Sequence, residues 1–275
     1  VGGWIDQDAK DTTEYIIYLS QSGLGLPDRD YYSKEGGKFD ALRVAYGKYL
    51  EGLFREAGRA DADEAAKRLM AFETEMASIQ WARVKNRNRD LTYNKFDLEG
   101  LQTLAPKFAW KRLFLGMGLD EDPSLVVRQP DYMTNASEVL AKTPKEVLRD
   151  YLEIRLLSTY ASRLHKAMVD LHFGFYGKVL RGARELEPRW KRGVSEVERN
   201  LGEVVGKIYV SRHFKPEAKA RMVHLVGNLE RAFGEGITSL EWMTDVTKDQ
   251  AQQKLGTFVS KIGYPDTWRD YDGLE

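Results

Sequence analysis

Asp28-Arg29-Asp30 sets two carboxylates on either side of a guanidinium, inside the stretch Gln21–Gly37, QSGLGLPDRDYYSKEGG. Paired carboxylates are the residue types of general acid–base hydrolysis. Here, however, the intervening arginine would hold both in the charged form, which suits a salt-bridged corner better than a proton donor near neutral pH. Pro27 fixes φ, and Gly23 and Gly25 permit positive φ, so the stretch also reads as a rigid turn. Asp28 or Asp30 would then cap the helix that follows, with Tyr31 and Tyr32 packed beneath it.

Metal chemistry has four histidines to work with, His165, His172, His213 and His224. A helix-borne zinc hydrolase site needs two histidines four apart with a glutamate between them. No such pair occurs, and His165 and His172, seven apart, are too distant along a helix to share one ion. They read as half-buried or surface residues. There is no cysteine for thiol catalysis or disulfides. QSGLG lacks the glycine before the serine of a nucleophile elbow, and GLGLPD carries G-x-G without a βαβ context. The basic and aromatic run WARVKNRNRDLTYNKF could suggest nucleic acid. Forty-two basic residues against forty-two acidic ones leave no net field to attract it. The run reads instead as a solvated helix end and turn. No catalytic, cofactor-binding or metal-ligating residue is therefore assigned to this chain.

The elements that would position these residues are mainly helical. The 275 residues are enough for one large domain, no apolar run approaches a membrane span, and no signal peptide is present. The chain begins at Val1 rather than Met, as a cut or processed N-terminus would. VGGWIDQ and TEYIIYLSQ, separated by Asp8-Ala9-Lys10-Asp11, predict a β-hairpin within residues 1–22. Residues 38–263 predict a helical body. Phe39, Leu42, Tyr46, Tyr49, Leu50, Leu53 and Phe54 recur at threes and fours. Leu69, Phe72, Met76, Ile79 and Trp81 continue the pattern over about seven turns, with Asp61 as N-cap and Glu64 three residues on. Between residues 88 and 129 lie short helices near Leu98–Leu104 and Phe108–Leu115, then VVRQPDYM as a brief extended segment ending at Pro130. Thr143, Pro144 and Glu146 predict a capping box. Helices follow over PRWKRGVSEVERNLGEVVGKIYV and PEAKARMVHLVGNLERAFGEGI. A last one runs from Thr247 to a Gly263 cap. The expected fold is mainly α, a multi-helix domain with one short N-terminal hairpin. A split into two subdomains near residues 116–130 is the alternative.

GLGLPDRDYY resembles a signature of the neprilysin and endothelin-converting-enzyme family of zinc metallopeptidases, the M13 family, which includes bacterial PepO-like oligopeptidases. NRDLTYNKFDLEGLQTLAPKFAW, PDYM, PRWKRGVSEVERNLGEVVGKIYVSRHF and LEWMTDVTKDQAQQKLGTFVSKIGYPDTWRDY resemble further landmarks of that family, in family order from Gly23 to Tyr271. The resemblance implies two mainly helical domains around a central cavity. The zinc ligands, a His-Glu-x-x-His helix and a downstream Glu, lie after the I-G-Y-P-D segment and so beyond this chain. No functional residue carries over to a position here. The chain would be the covering, non-catalytic domain, with the catalytic domain of the same parent as its partner. The parent would be a zinc endopeptidase acting on small peptides, and this chain alone would be inactive. Such a domain, separated from its partner, would expose an apolar face. Animal members carry disulfides, so the lack of Cys favours a bacterial, exported parent, periplasmic or extracellular, with a cytoplasmic one not excluded. The closing Leu274-Glu275 resembles a cloning scar. A stand-alone helical interaction module without peptidase activity is the competing reading.

Overall fold

Apolar residues spaced at threes and fours turn most of this chain into helix, and the computed structural model describes residues 1–119 and 123–273. By its internal contacts the chain divides into two units, Val1–Leu186 and Glu187–Glu275. The terminal Leu274-Glu275 lies outside the described residues. The segment 116–130 is no boundary, because it contributes a central strand to the first unit.

The first unit opens with β1 (Gly2–Gln7) and β2 (Tyr15–Ser20), paired antiparallel from Gly2↔Ser20 to Gln7↔Tyr15. Their connection is held by Asp8, which is 1% exposed. Its carboxylate accepts from the Lys10 amide at 2.9 Å and the Tyr93 hydroxyl at 2.7 Å, and pairs with Lys95 at 3.1 Å. The Lys10 amide first, then Tyr93 and Lys95, pull its pKa down to about 2.

The expected hairpin is half of a larger sheet. Its order is β1-β2-β4-β3, with β3 at Lys95–Phe96 and β4 at Leu125–Val127. β4 runs parallel to β2 (Ile17↔Leu125) and antiparallel to β3 (Lys95↔Val126). Lying between two strands, β4 is buried along its whole length, which is why it reads as the unbroken apolar run Leu-Val-Val.

Helices α1 (Asp30–Ser33), α2 (Gly37–Glu56) and α3 (Ala62–Ser78) follow. Tyr46, Tyr49, Leu50, Leu53 and Phe54 of α2 share one core with Leu69, Phe72 and Met76 of α3, as the spacing predicts, and Leu42 is buried as well. α3 is shorter than expected: it stops at Ser78, leaving Ile79 and Trp81 half-buried beyond its end, and a single 3₁₀ turn, Lys85–Arg87, succeeds it. Asp61 stands at the N-cap of α3, but its side chain makes no cap bond. Two arginines claim its carboxylate instead.

Next come α4 (Leu98–Leu104), capped by Asp97 accepting from the Gly100 amide at 2.7 Å, and α5 (Trp110–Gly116). α6 (Pro130–Lys142) starts on a proline, and α7 spans Lys145–Tyr160. The capping box expected of Thr143 and Glu146 does not form. Thr143 turns back to the Val139 carbonyl at 2.7 Å, and Glu146 reaches Arg68 at 3.3 Å. A 3₁₀ turn (Ala161–Arg163), α8 (Lys166–His172) and a π-helical segment (Phe173–Val179) complete the unit.

The second unit holds α9 (Arg189–His213), bent where Leu201 leaves helical φ/ψ, α10 (Pro216–Ser239) and α11 (Asp245–Gly256). α11 begins before Thr247, because Thr244 is its cap and accepts from the Thr247 amide at 3.4 Å. It ends at Gly256. Gly263, at φ +73°, instead packs against Phe214. The fold class is therefore mainly α, with a four-stranded sheet where a lone hairpin was expected.

Candidate functional site

The loop Ser22–Leu26 between β2 and α1 is the point on which the first unit converges. Its carbonyls are taken one after another by side chains from separate elements. The Ser22 carbonyl accepts from the Tyr132 hydroxyl (3.2 Å), Gly23 from Tyr151 (2.8 Å), Leu24 from Arg155 (3.2 Å) and Gly25 from Tyr176 (3.0 Å). The Leu26 amide donates to the Tyr32 hydroxyl at 3.0 Å. Helices α1, α6 and α7 and the π-helical segment thus fix one stretch of backbone. The two glycines serve it differently. Gly23 has φ +98°, while Gly25 has ordinary φ but lies so close to Tyr46 that a Cβ would sit 1.7 Å from its hydroxyl. Close approach, rather than φ, requires glycine there.

The acidic pair does not flank its arginine as a catalytic couple. Asp28 accepts from the Asp30 amide at 2.8 Å in a local turn and pairs with Arg83 at 2.6 Å. It does not cap α1, whose N-cap is Arg29 with no side-chain cap bond. Arg29 reaches the Gln80 carbonyl, and Asp30 pairs with Lys34 at 2.7 Å. Tyr32 is buried, and Tyr31 packs edge-on to Phe39. All three charged residues pin the corner, and the tyrosines lie under it.

The buried carboxyl near this loop is Glu73 of α3, which periodicity did not single out. It is fully buried. Its Oε2 accepts from the Tyr32 hydroxyl (2.7 Å), the Tyr46 hydroxyl (3.0 Å) and the Gly25 amide (3.4 Å), while Oε1 has no partner. Burial pushes its pKa up, against the pull of the Tyr32 and Tyr46 hydrogen bonds, Arg155 and the Gly25 amide. A carboxyl raised by folding contributes stability below its usual value near 4.5, and that contribution is lost as pH rises through the folded pKa. Urea unfolding from acid to neutral pH should show the wild type losing ground to Glu73→Gln, whose neutral amide oxygen still accepts from both tyrosines. Parallel pH profiles would count against a buried, raised carboxyl. The only sequence signal for it was a glutamate in register with Leu69, Phe72 and Met76.

Among the described residues, no group of three or more histidines, aspartates or glutamates could hold a metal ion. His165 lies 3.8 Å from Glu56, His172 packs at a tilt against Tyr176 with centroids 5.0 Å apart, and His213 packs at a tilt against Tyr209 at 5.1 Å. His224 approaches Asn228 at 3.3 Å. The zinc that the resemblance implies for the parent has no fitting ligand set here, and no zinc chemistry is assigned to these side chains.

A model of peptidase family M13 matches residues 1–265. The chain belongs to that family. Endothelin-converting enzyme 1 of Mus musculus is 30% identical over 279 residues, covering 99% of this chain and 36% of that protein. This M13 chain thus spans little more than a third of such a relative. Among solved structures, Mycobacterium tuberculosis zinc metalloprotease Zmp1 in complex with an inhibitor is 40% identical, with a TM-score of 0.87, over 98% of this chain and 41% of that one. PepO of Lactobacillus rhamnosis shares the fold, with a TM-score of 0.85 at 21% identity. The corner and its flanking helices are therefore an M13 architecture.

Proposed function

We propose that this chain is the helical, non-catalytic part of an M13 zinc endopeptidase, and that it closes the cavity in which small peptides are cut. The observation that carries this reading is the family match along nearly the whole chain, in a stretch spanning only about two fifths of the zinc metalloprotease it resembles. In this reading the chain limits substrate size and excludes bulk water, while the zinc and its ligands belong to the rest of the parent. The absence of cysteine supports an exported bacterial parent rather than a disulfide-bonded animal one. No described helix is long and apolar enough to cross a membrane.

The surface of the second unit supports a partner of this kind. On α9, Trp190, Val194, Val197, Leu201, Val204 and Ile208 recur at fours and threes and are all exposed. Met222, Leu225, Leu229 and Phe233 do the same on α10. Apolar stripes of this length are uncommon on free monomers and mark contact surfaces.

A quenched peptide tests the proposal. The purified chain should show no turnover with or without added zinc. Mixing it with the separately produced remainder of the parent should restore cleavage of short peptides but not of folded proteins. Zinc-dependent turnover by the chain alone would overturn the assignment.

A further inference from the structure

The fixed loop uses the amides of Gly25 and Leu26 but not those before them. The carbonyls of Ser22 to Gly25 are all taken by protein side chains. The amides of Ser22, Gly23 and Leu24, by contrast, find no acceptor among the described residues. These same residues line a cavity of about 330 Å³ with two arginines on its wall, Arg83 and Arg128. Arg83 is matched by Asp28 at 2.6 Å. Arg128, just after β4, has no carboxylate or carbonyl partner among the described residues, and its guanidinium lies 5.7 Å over the Trp4 ring. The formal charge on the wall is therefore two arginines less one aspartate, a single positive charge.

We infer that this cavity is a carboxylate-binding site, and that its ligand is the free C-terminus of a short peptide. Successive unpaired amides around a residue of positive φ form an anion-binding concavity, and a guanidinium fork matches a carboxylate. The site is preorganised. Gln129, 1% exposed, accepts from the Gln21 amide at 2.9 Å and the Ser20 hydroxyl at 3.2 Å, while donating to Asn86 at 2.9 Å. Gln80 donates to the Ser22 carbonyl at 3.4 Å. Little ordering is left for a ligand to impose. One net positive charge suits a monoanion, and Asp28 on the wall disfavours a phosphate dianion. The volume admits one or two residues rather than a long chain. The choice of a peptide as bearer of the carboxylate rests on the peptidase reading; the anion site itself does not.

The test is a titration of the isotope-labelled chain with N-acetyl-Ala-Ala, its C-terminal amide and inorganic phosphate, followed by amide chemical shifts. The free acid should move the Ser22, Gly23 and Leu24 amides saturably. The C-terminal amide, and the acid on Arg128→Gln, should each bind at least about tenfold more weakly, as loss of a charge-assisted pair demands. Equal binding of acid and amide, tighter binding of phosphate, shifts that map elsewhere, or undiminished binding by a folded Arg128→Gln would each overturn the assignment. If Arg128→Gln does not fold, the wild-type comparison of acid with amide decides alone. Because no turnover is measured, the result stands apart from the fate of the peptidase reading.

Discussion

Gly25→Ala is expected to destabilise the Val1–Leu186 unit by about 3 kcal/mol, because its methyl group has nowhere to go. The new Cβ would lie 1.7 Å from the Tyr46 hydroxyl and 2.5 Å from its ring carbon. Tyr46 is 2% exposed and packed against Phe175 and Tyr49, so it can withdraw only by giving up its bond to Glu73. The backbone cannot retreat either, since the Gly25 carbonyl is held by Tyr176 and its amide by Glu73. Overpacking and a lost buried hydrogen bond therefore add. For a unit of this size the change corresponds to a fall in Tm of roughly 6 to 12 °C. Gly47→Ala is the control. It lies within α2 with nothing near its would-be Cβ, so it should be neutral or stabilise by about 0.5 to 1 kcal/mol. Thermal or urea unfolding of both variants checks the pair. A loss below about 1 kcal/mol at Gly25 would mean that the corner yields.

This contrast marks what the sequence could and could not reveal. Local signals were legible. The spacing of Leu42, Tyr46, Tyr49, Leu50 and Leu53 placed a buried helix face, and GLGLPD placed a rigid corner. Contacts between distant segments were not. β3 is two residues long and pairs across some thirty residues with β4, so no run of alternation announces it. Asp61 and Glu64 carry the pattern of a capping box, yet the geometry that decides the carboxylate's partner comes from Arg59 and Arg68. Glu73 shares the register of Leu69, Phe72 and Met76, but nothing local shows that α1 and α2 bring Tyr32 and Tyr46 over it. Asp28-Arg29-Asp30 reads as a salt-bridged corner with the arginine between its two carboxylates. Instead each side chain bonds outside the triplet or to the backbone.

The second large effect belongs to Asp150, a fully buried carboxylate on α7. Its Oδ1 accepts from Arg59 at 3.0 Å, and its Oδ2 from Arg68 at 2.8 and 3.1 Å. Arg59 also binds Asp61 and Glu153, and Arg68 also binds Asp61, so the end of α2, the start of α3 and the middle of α7 are tied through one set of charges. Hydrogen bonds from Arg59, then Arg68, hold the Asp61 carboxyl well below the usual range. Asp150→Ala would leave two guanidiniums facing a void in place of the buried partner they share. Breaking a buried pair by removing one member typically costs about 3 to 5 kcal/mol. Both arginines retain other carboxylates and some contact with water, so the expected loss is at the low end, about 3 kcal/mol. Asp150→Asn should fare little better, since its amide group would turn donors toward donors. Salt separates this network from the exposed pairs. Raising ionic strength should change the effect of Asp150→Ala little, whereas Asp63→Ala, which removes the exposed partner of Lys67, should leave the unfolding midpoint unchanged throughout. Equal midpoints for Asp150→Ala and wild type would mean that Asp61, Glu146 and Glu153 suffice to hold α3 on α7 without it.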